Sequence, residues 1–170
     1  SDMASAKEIH NCVNQIITEN RRLAWNSPSY SETQYSNAME SFYATNGSSY
    51  NGIINNGWRS AYFQKVDENG SIYYLIPVCR LGSWTNWEWQ KVDAEQEPFA
   101  QYLTSQMSGD SSNKVKIPIK YQPKGQSPEL DTWIVCYPSN SPSEIQIWVG
   151  GKESGGQYVP LYRVFPDPTY

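Results

Sequence analysis

The sequence predicts an α+β domain: one antiparallel β-sheet of about six or seven strands, with about three helices packed on one of its faces. Apolar residues recur at helical spacing near the N-terminus, and from Arg59 onward they mostly alternate, as in β-strands. The predicted strands have short connections, which favour antiparallel neighbours. The order helix, helix, three strands, helix, four strands excludes a doubly wound fold, which needs a helix between successive parallel strands.

Two amphipathic helices come first. Residues 5–8 have the Ser-x-x-Glu pattern of a capping box, and apolar residues follow them at helical spacing. Residues 26–28 read Asn-Ser-Pro and end this helix, because a residue before proline avoids the helical backbone conformation. Ser31 and Gln34 repeat the capping pattern ahead of a second apolar stripe, which closes at the Asn-Gly pair of residues 46–47.

A β-hairpin is the clearest feature of the middle of the chain. Strand segments at residues 59–66 and 71–79 flank the turn Asp-Glu-Asn-Gly at residues 67–70. The Asn-Gly pair supplies the positive φ angles that a tight turn requires. Residues 73–76 are apolar on both faces, so the second strand is predicted to lie centrally in the sheet.

The rest of the chain adds one helix and five strand segments. A Trp-rich strand is predicted over residues 84–92 and a helix over residues 95–107, with Pro98 tolerated in its first turn. Residues 114–121 alternate apolar side chains with lysines and Pro118, a pattern typical of an edge strand. Three more strands are predicted at residues 132–137, 144–149 and 157–165.

Composition excludes several classes of partner. The net charge is −4 and the 13 basic residues are scattered, which argues against nucleic acid and against anionic membranes. No apolar run reaches the ~18 residues of a membrane-spanning helix, and no signal-peptide pattern opens the chain. The three cysteines have no close spacing, so we expect reduced, structural thiols and a cytoplasmic protein. We expect a single domain over residues 1–170, with Ser1 and Asp2 a cloning remnant.

Abundant aromatic residues with a single histidine favour binding over catalysis. The chain has seven Trp and 13 Tyr residues but only one histidine, His10. Trp and Tyr suit binding surfaces, whereas acid–base catalysis near neutral pH most often uses histidine. The sequence therefore predicts a non-catalytic binding or protein-interaction domain that uses exposed aromatic residues on a β-sheet. We expect no cofactor, metal or catalytic residue, and a partner that is either a protein or a small polar or planar ligand; the oligomeric state stays open.

The first candidate binding site is the Trp-rich segment at residues 83–89. In a strand, Trp87 and Trp89 point to one face and Trp84 to the other. One interpretation is a stacking platform for a sugar or planar ligand, with Asn86 and Glu88 binding hydroxyl groups, as in a carbohydrate-binding module. The other interpretation is that these tryptophans anchor the helices on the sheet. The sequence leaves both open.

The second candidate is Trp148. Alternation in residues 144–149 places three aliphatic side chains on one face and Trp148, Gln146 and Glu144 on the other. We expect the aliphatic face to be covered by helices, so that Trp148 projects outward and anchors the principal interaction surface. The candidate aromatic neighbours of Trp148 on other strands are Tyr62, Tyr73, Tyr158 and Tyr162.

A small hydrolase remains an alternative. Glycosidases need only two carboxylates. The candidates are Glu88, Glu129 and Asp131. A cysteine nucleophile would need His10 as its base. Cys12 is two positions away on the same helix and points elsewhere, while Cys79 and Cys136 lie in apolar strands, where a thiol is usually inert.

Overall fold

The structure is a computed structural model that describes residues 1–19, 63–82, 86–89, 98–108, 114–138, 141 and 144–170. Within these residues it has two α-helices and six β-strands: α1 (Asp2–Glu19), β1 (Phe63–Val66), β2 (Ile72–Leu81), β3 (Glu88–Trp89), α2 (Pro98–Met107), β4 (Thr132–Pro138), β5 (Gln146–Lys152) and β6 (Tyr158–Phe165). The strands form one antiparallel sheet, which confirms the predicted class. The helix predicted between residues 31 and 46 lies outside the described residues, so two helices are seen instead of about three.

The strand order is β1-β2-β4-β5-β6, with β3 also paired to β2. The first half of β2 pairs with β1 and its last part with β3, while β4 runs along the other edge. The predicted central position of β2 is therefore confirmed. Of the predicted Trp-rich strand, the described residues 86–89 contain β3, which pairs with Cys79 and Arg80.

Helix α1 begins at Asp2 and not at the predicted capping box. The Ser1 side-chain oxygen accepts a hydrogen bond from the Ala4 N–H at 3.4 Å, and the Ser5 N–H donates to the Ser1 carbonyl oxygen at 3.2 Å. Ser5 therefore lies inside the first turn, because Ser1 already caps the helix. The helix end predicted at residues 26–28 lies outside the described residues. Neither described helix combines the length and the apolar composition needed to cross a bilayer.

The turn between β1 and β2 is built as predicted. The Asp67 carboxylate accepts hydrogen bonds from the N–H groups of Asn69 and Ser71, at 2.9 and 2.8 Å. Gly70 has a φ of 80°, the left-handed conformation that favours glycine. These bonds fix the register of the hairpin, in which Lys65 faces Tyr73.

Residues 114–121 form no strand apart from one isolated bridge, so the predicted edge strand is wrong and the described sheet has six strands. The alternation of burial does hold, because the odd-numbered residues from 115 to 121 pack against the core. The segment is held by side chains instead of a strand partner. The buried Asp2 carboxylate accepts hydrogen bonds from the N–H groups of Lys120 and Tyr121, both at 2.7 Å.

The main core lies between the sheet and the two helices. Its helical members are Ala6, Ile9 and Val13 of α1 and Ala100 and Leu103 of α2. Its largest sheet-side residues include Trp87, Trp133 and Tyr137. Both helices therefore cover the same face of the sheet, as predicted, since their buried residues belong to one cluster.

A β-bulge lets β2 contribute to both faces of the sheet. The pairing of β2 with β4 shifts between Pro77 and Cys79. The extra residue reverses the side-chain alternation. Before the bulge Tyr73 and Leu75 belong to a second cluster on the opposite face, whereas Cys79 after it belongs to the main core.

The second cluster occupies the inner face of the sheet, which curls. Its members are Tyr73, Leu75, Ile134, Cys136 and Trp148. The Lys65 Nζ donates a hydrogen bond to the Pro160 carbonyl oxygen at 2.8 Å, although β1 and β6 stand at opposite ends of the strand order. The sheet therefore curls far enough to bring its two ends into contact around this cluster.

Candidate functional site

A cavity of about 650 Å³ opens on the inner face of the curled sheet. Its volume lies within the range of about 300–1,000 Å³ that is usual for ligand pockets. Residues from β1 and its turn, β2, β5, β6 and the C-terminal tail line it. They include Lys65, Asp67, Glu68, Tyr73, Glu144, Gln146, Trp148, Leu161, Tyr162, Arg163 and Asp167. We call this space the Trp148 cavity.

The structure places Trp148 on the predicted face but not in solvent. Ile147 and Val149 belong to the main core, while Trp148 belongs to the inner cluster with its neighbour Gln146 also buried. Only 4% of Trp148 is exposed. The prediction that it projects outward is wrong, because the curl brings Lys65 over its ring at 5.0 Å from Nζ to the ring centroid. Trp148 lines a recess and does not stand on an open surface.

A chain of hydrogen bonds leads from the buried indole to the cavity wall. The Trp148 Nε1–H donates to the Gln146 side-chain oxygen at 2.9 Å. The Gln146 amide nitrogen in turn donates to the Glu144 carboxylate at 3.4 Å. These bonds orient the Gln146 amide and place an acidic group at the outer end of the chain. One side of the indole is therefore linked to a carboxylate.

The ring face of Trp148 and the next strand carry positive charge. Lys65 holds its ammonium group over the ring, and burial lowers the pKa of Lys65 below its ordinary value. Arg163 on β6 is the cross-strand neighbour of Trp148, and its Nε donates to the Asp167 carbonyl oxygen at 2.8 Å. Two cations thus lie on this side of the cavity.

Tyr73 adds a hydroxyl group to the same wall. It faces Lys65 across the hairpin and is buried. Burial raises the pKa of Tyr73, the positive charge of Arg163 opposes this rise, and Asp67 and Glu144 add to it. Tyr73 is therefore close enough to Arg163 to sense its charge. Its hydroxyl has no hydrogen-bond partner in the part of the chain that the structure describes.

The Trp-rich segment has a different position. Trp87 is buried in the main core, and its backbone N–H donates to the Thr104 hydroxyl oxygen of α2 at 2.6 Å. Trp87 therefore anchors a helix on the sheet and offers no stacking surface, so that part of the platform interpretation is wrong. Trp84 and the side chain of Trp89 lie outside what the structure describes.

The candidate carboxylates do not meet in the cavity. Glu88 forms an ion pair with Arg80 at 2.9 Å, and the Asp131 carboxylate accepts a hydrogen bond from the Thr132 hydroxyl at 2.8 Å. Glu129 is exposed. None of the three acidic residues lines the Trp148 cavity.

The described thiols and the histidine serve packing. Cys79 and Cys136 are fully buried, as predicted, and burial raises the pKa of both thiols well above the ordinary value. The His10 ring lies 4.6 Å from the Phe165 ring, between α1 and β6. Cys136 belongs to the inner cluster, but neither thiol nor His10 lines the cavity. Among the described residues, no group of three His, Cys, Asp or Glu is arranged to hold a metal ion.

Sequence reasoning found only part of this site. Gln146 and Trp148 were predicted from alternation, and Tyr73 and Tyr162 were named as possible aromatic neighbours; all four line the cavity. Tyr158 instead lies beneath the Arg80 guanidinium, 4.1 Å from ring centroid to charge centre. Tyr62 lies outside the described residues. The cations Lys65 and Arg163 were missed, because only the curl of the sheet brings β1 and β6 together.

Comparison with known proteins finds no matching family model, no matching curated protein and no matching solved structure. A fold by itself does not determine a function, which depends on the chemistry of a site. The geometry of the Trp148 cavity is therefore the basis of the functional argument.

Proposed function

We propose that the protein is a non-catalytic binding domain whose ligand site is the Trp148 cavity. The supporting observation is a recess of about 650 Å³ lined by the aromatic side chains of Trp148 and Tyr73 and by charged and amide groups. Ligand pockets commonly combine apolar or aromatic surface with a few polar groups that fix orientation. Here the hydrogen bond from Trp148 to Gln146 holds one of those polar groups in place.

The chemistry of the walls supports binding over nucleophilic catalysis. Among the described lining residues there is neither a histidine nor a cysteine. A nucleophile and its base must lie within hydrogen-bond reach in a shaped pocket. The buried thiol of Cys136 has a raised pKa, so little of the reactive thiolate forms near neutral pH. The polar groups that do line the cavity are suited to orienting a ligand.

A small polar ligand suits the recess better than a flat protein surface or a stacked sugar. Trp148 is only 4% exposed, so a partner would have to enter the recess to contact it. Sugar stacking needs an open ring face, but the Lys65 ammonium lies over the Trp148 ring. Although Lys65 covers the ring, Tyr73, Gln146 and Glu144 still line the cavity and can make polar contacts with a ligand.

Nuclear magnetic resonance of the indole N–H groups tests this proposal. The Trp148 signal is assigned by its loss in Trp148→Phe. Probes are neutral sugars, nucleosides, amino acids and short peptides at millimolar concentration. We expect one class to shift the Trp148 signal in a saturable way while the Trp87 signal stays in place, since Trp87 lies in the main core. Absence of any saturable shift at Trp148 would contradict a ligand site there.

A second candidate, a protein-binding surface, is favoured by one observation. Val66 and Ile72 face each other across the hairpin and are 63% and 62% exposed, with Tyr74 exposed beside them. Contiguous exposed apolar surface often marks an interaction site. A second copy of the chain is the first partner to test, by sedimentation velocity of the wild type and of the double variant Val66→Thr, Ile72→Thr. Identical sedimentation of both at all concentrations would exclude self-association through this patch.

A further inference from the structure

We infer that the Trp148 cavity selects a small zwitterion of the α-amino acid or short-peptide class. In this inference Arg163 and the Tyr73 hydroxyl hold the ligand carboxylate, and Glu144 holds its ammonium group. The inference rests on the proposed function, because it names the ligand class of the same cavity. Its basis is the presence of both signs of charge around Trp148, together with donor groups of Arg163 and Tyr73 that are not used by other described residues.

The charges lining the cavity have both signs and oppose a ligand with only one. Two cations, Lys65 and Arg163, line it together with four carboxylates, Asp67, Glu68, Glu144 and Asp167. A simple anion would meet the four carboxylates, and a simple cation would meet Lys65 and Arg163. A ligand that carries both charges, each turned toward its opposite, avoids both penalties.

Donors for a carboxylate lie on the cationic side. A guanidinium has five N–H donors. In Arg163 the Nε–H donates a hydrogen bond to the Asp167 carbonyl oxygen. The two terminal nitrogens of Arg163 have no protein acceptor within the described residues. Paired guanidinium nitrogens bind a carboxylate through two parallel hydrogen bonds. The Tyr73 hydroxyl also lines the cavity and supplies a further donor.

An acceptor for an ammonium group lies at the outer end of the hydrogen bonds that link Trp148, Gln146 and Glu144. Glu144 is exposed at the cavity wall, and its carboxylate has one partner within the described residues, the Gln146 amide at 3.4 Å. A carboxylate accepts up to about four hydrogen bonds, so capacity remains for a ligand. Gln146 is itself fixed by Trp148, which keeps this acceptor on one side of the indole. Arg163 is the cross-strand neighbour of Trp148, whereas Glu144 is linked to the Trp148 indole through Gln146.

Isothermal titration with matched peptides tests the charge requirement. The probe is the dipeptide glycyl-tyrosine, compared with its C-terminal amide, which lacks the carboxylate, and its N-acetyl form, which lacks the ammonium group. Free tyrosine distinguishes an amino acid from a peptide as the source of the zwitterion. We expect each blocked form to bind at least about tenfold more weakly than the free zwitterion, since each loses a charge-assisted hydrogen bond.

Variants assign the carboxylate end. Tyr73→Phe removes only the hydroxyl, and Arg163→Gln removes the guanidinium. Arg163→Gln should reduce the preference for the free dipeptide over its amide to near unity, and Tyr73→Phe should reduce it in part, because the Arg163 donors remain. Lys152→Gln is the matched control, because Lys152 is exposed on β5 and does not line the cavity. Circular dichroism melts check folding, and if Arg163→Gln fails to fold, Tyr73→Phe alone decides.

The outcomes separate this inference from the proposed function. A preference for the free zwitterion that Arg163→Gln abolishes, Tyr73→Phe weakens and Lys152→Gln retains supports the inference. Equal binding of free and blocked peptides, or an unchanged preference in Tyr73→Phe, overturns the zwitterion class but leaves the cavity as a ligand site. If a neutral sugar or nucleoside shifts the Trp148 signal and no zwitterion does, the class is likewise wrong. If no probe shifts the Trp148 indole N–H signal, both the zwitterion class and the proposed ligand site are wrong.

Discussion

The Lys65 Nζ donates a hydrogen bond to the Pro160 carbonyl oxygen across 2.8 Å, and this bond joins strands at opposite ends of the sheet. The same ammonium group lies over the Trp148 ring. One side chain therefore both closes the curl and covers the indole on the inner face. The cavity depends on this arrangement, because its walls come from strands that are distant in the sheet order.

Lys65→Met should open this closure while keeping the apolar stem of the side chain. Loss of the hydrogen bond to Pro160 should lower the free energy of unfolding by about 1 kcal/mol. Removing the cation from the ring face should also shift the Trp148 indole N–H resonance. Urea denaturation and the indole spectrum measure the two effects. Lys124→Met at an exposed site is the control, and equal stability of the two variants would show that the bond contributes nothing.

Local patterns predicted the parts of this fold that depend on neighbouring residues. The Asn-Gly pair predicted the hairpin turn, and Gly70 has the positive φ that such a turn requires. Alternation correctly divided Trp148 and Gln146 from the aliphatic residues of the same strand. These features follow from backbone conformation and a two-residue repeat, both of which a single segment specifies.

Features set by contacts between distant segments were not predictable from patterns. The bulge between Pro77 and Cys79 exchanges the faces of β2, and nothing local gives the strand pairing that reveals it. The sequence indicates that Asp2 is a cloning remnant, yet its carboxylate accepts hydrogen bonds from the backbone of Lys120 and Tyr121. The exposure of Trp148 was mispredicted for the same reason, since Lys65 reaches it only through the curl.

Trp148→Ala should destabilise the fold strongly, because the indole is buried in the inner cluster. Removing a buried tryptophan costs about 3–5 kcal/mol through lost burial and the cavity that remains. The change also leaves the Gln146 side-chain oxygen without its donor. Chemical denaturation measures the loss. Tyr74→Ala, at an exposed position of β2, should cost much less, and a comparable loss in both variants would contradict the packing role of Trp148.

Gly150→Ala should disrupt the pairing of β5 with β6. A Cβ atom on Gly150 would collide with the backbone carbonyl group of Val159, and backbone cannot move aside as a flexible side chain can. We expect a loss of about 3 kcal/mol or more in the free energy of unfolding, or failure to fold. Gly155→Ala is the matched control, because a Cβ there meets no atom within 4 Å. Similar thermal melts for the two variants would contradict the close approach.

His10 should make stability depend on pH. Burial lowers the pKa of His10 below its ordinary value of 6.5, and a neighbouring Asn11 side chain only partly opposes this effect. Its Nδ1 is buried without a hydrogen-bond partner among the described residues, and its ring packs on Phe165. The unfolded chain therefore binds the proton more readily than the folded one. The contribution of His10 to the free energy of unfolding should be fully present above the pKa of 6.5 that the imidazole has in the unfolded chain. It should decrease as the pH falls through 6.5 toward the lower pKa of His10 in the folded protein.

The His10→Gln variant isolates this contribution, because glutamine is polar but does not titrate in this range. Urea denaturation between about pH 7.5 and 5.5 stays above the ordinary range of the carboxylates. The free energy of unfolding of the wild type should decrease over this interval more steeply than that of the variant. Parallel curves would show that His10 takes up its proton equally well in both states. A wild type that became more stable on acidification, relative to His10→Gln, would mean that the folded protein favours the imidazolium form.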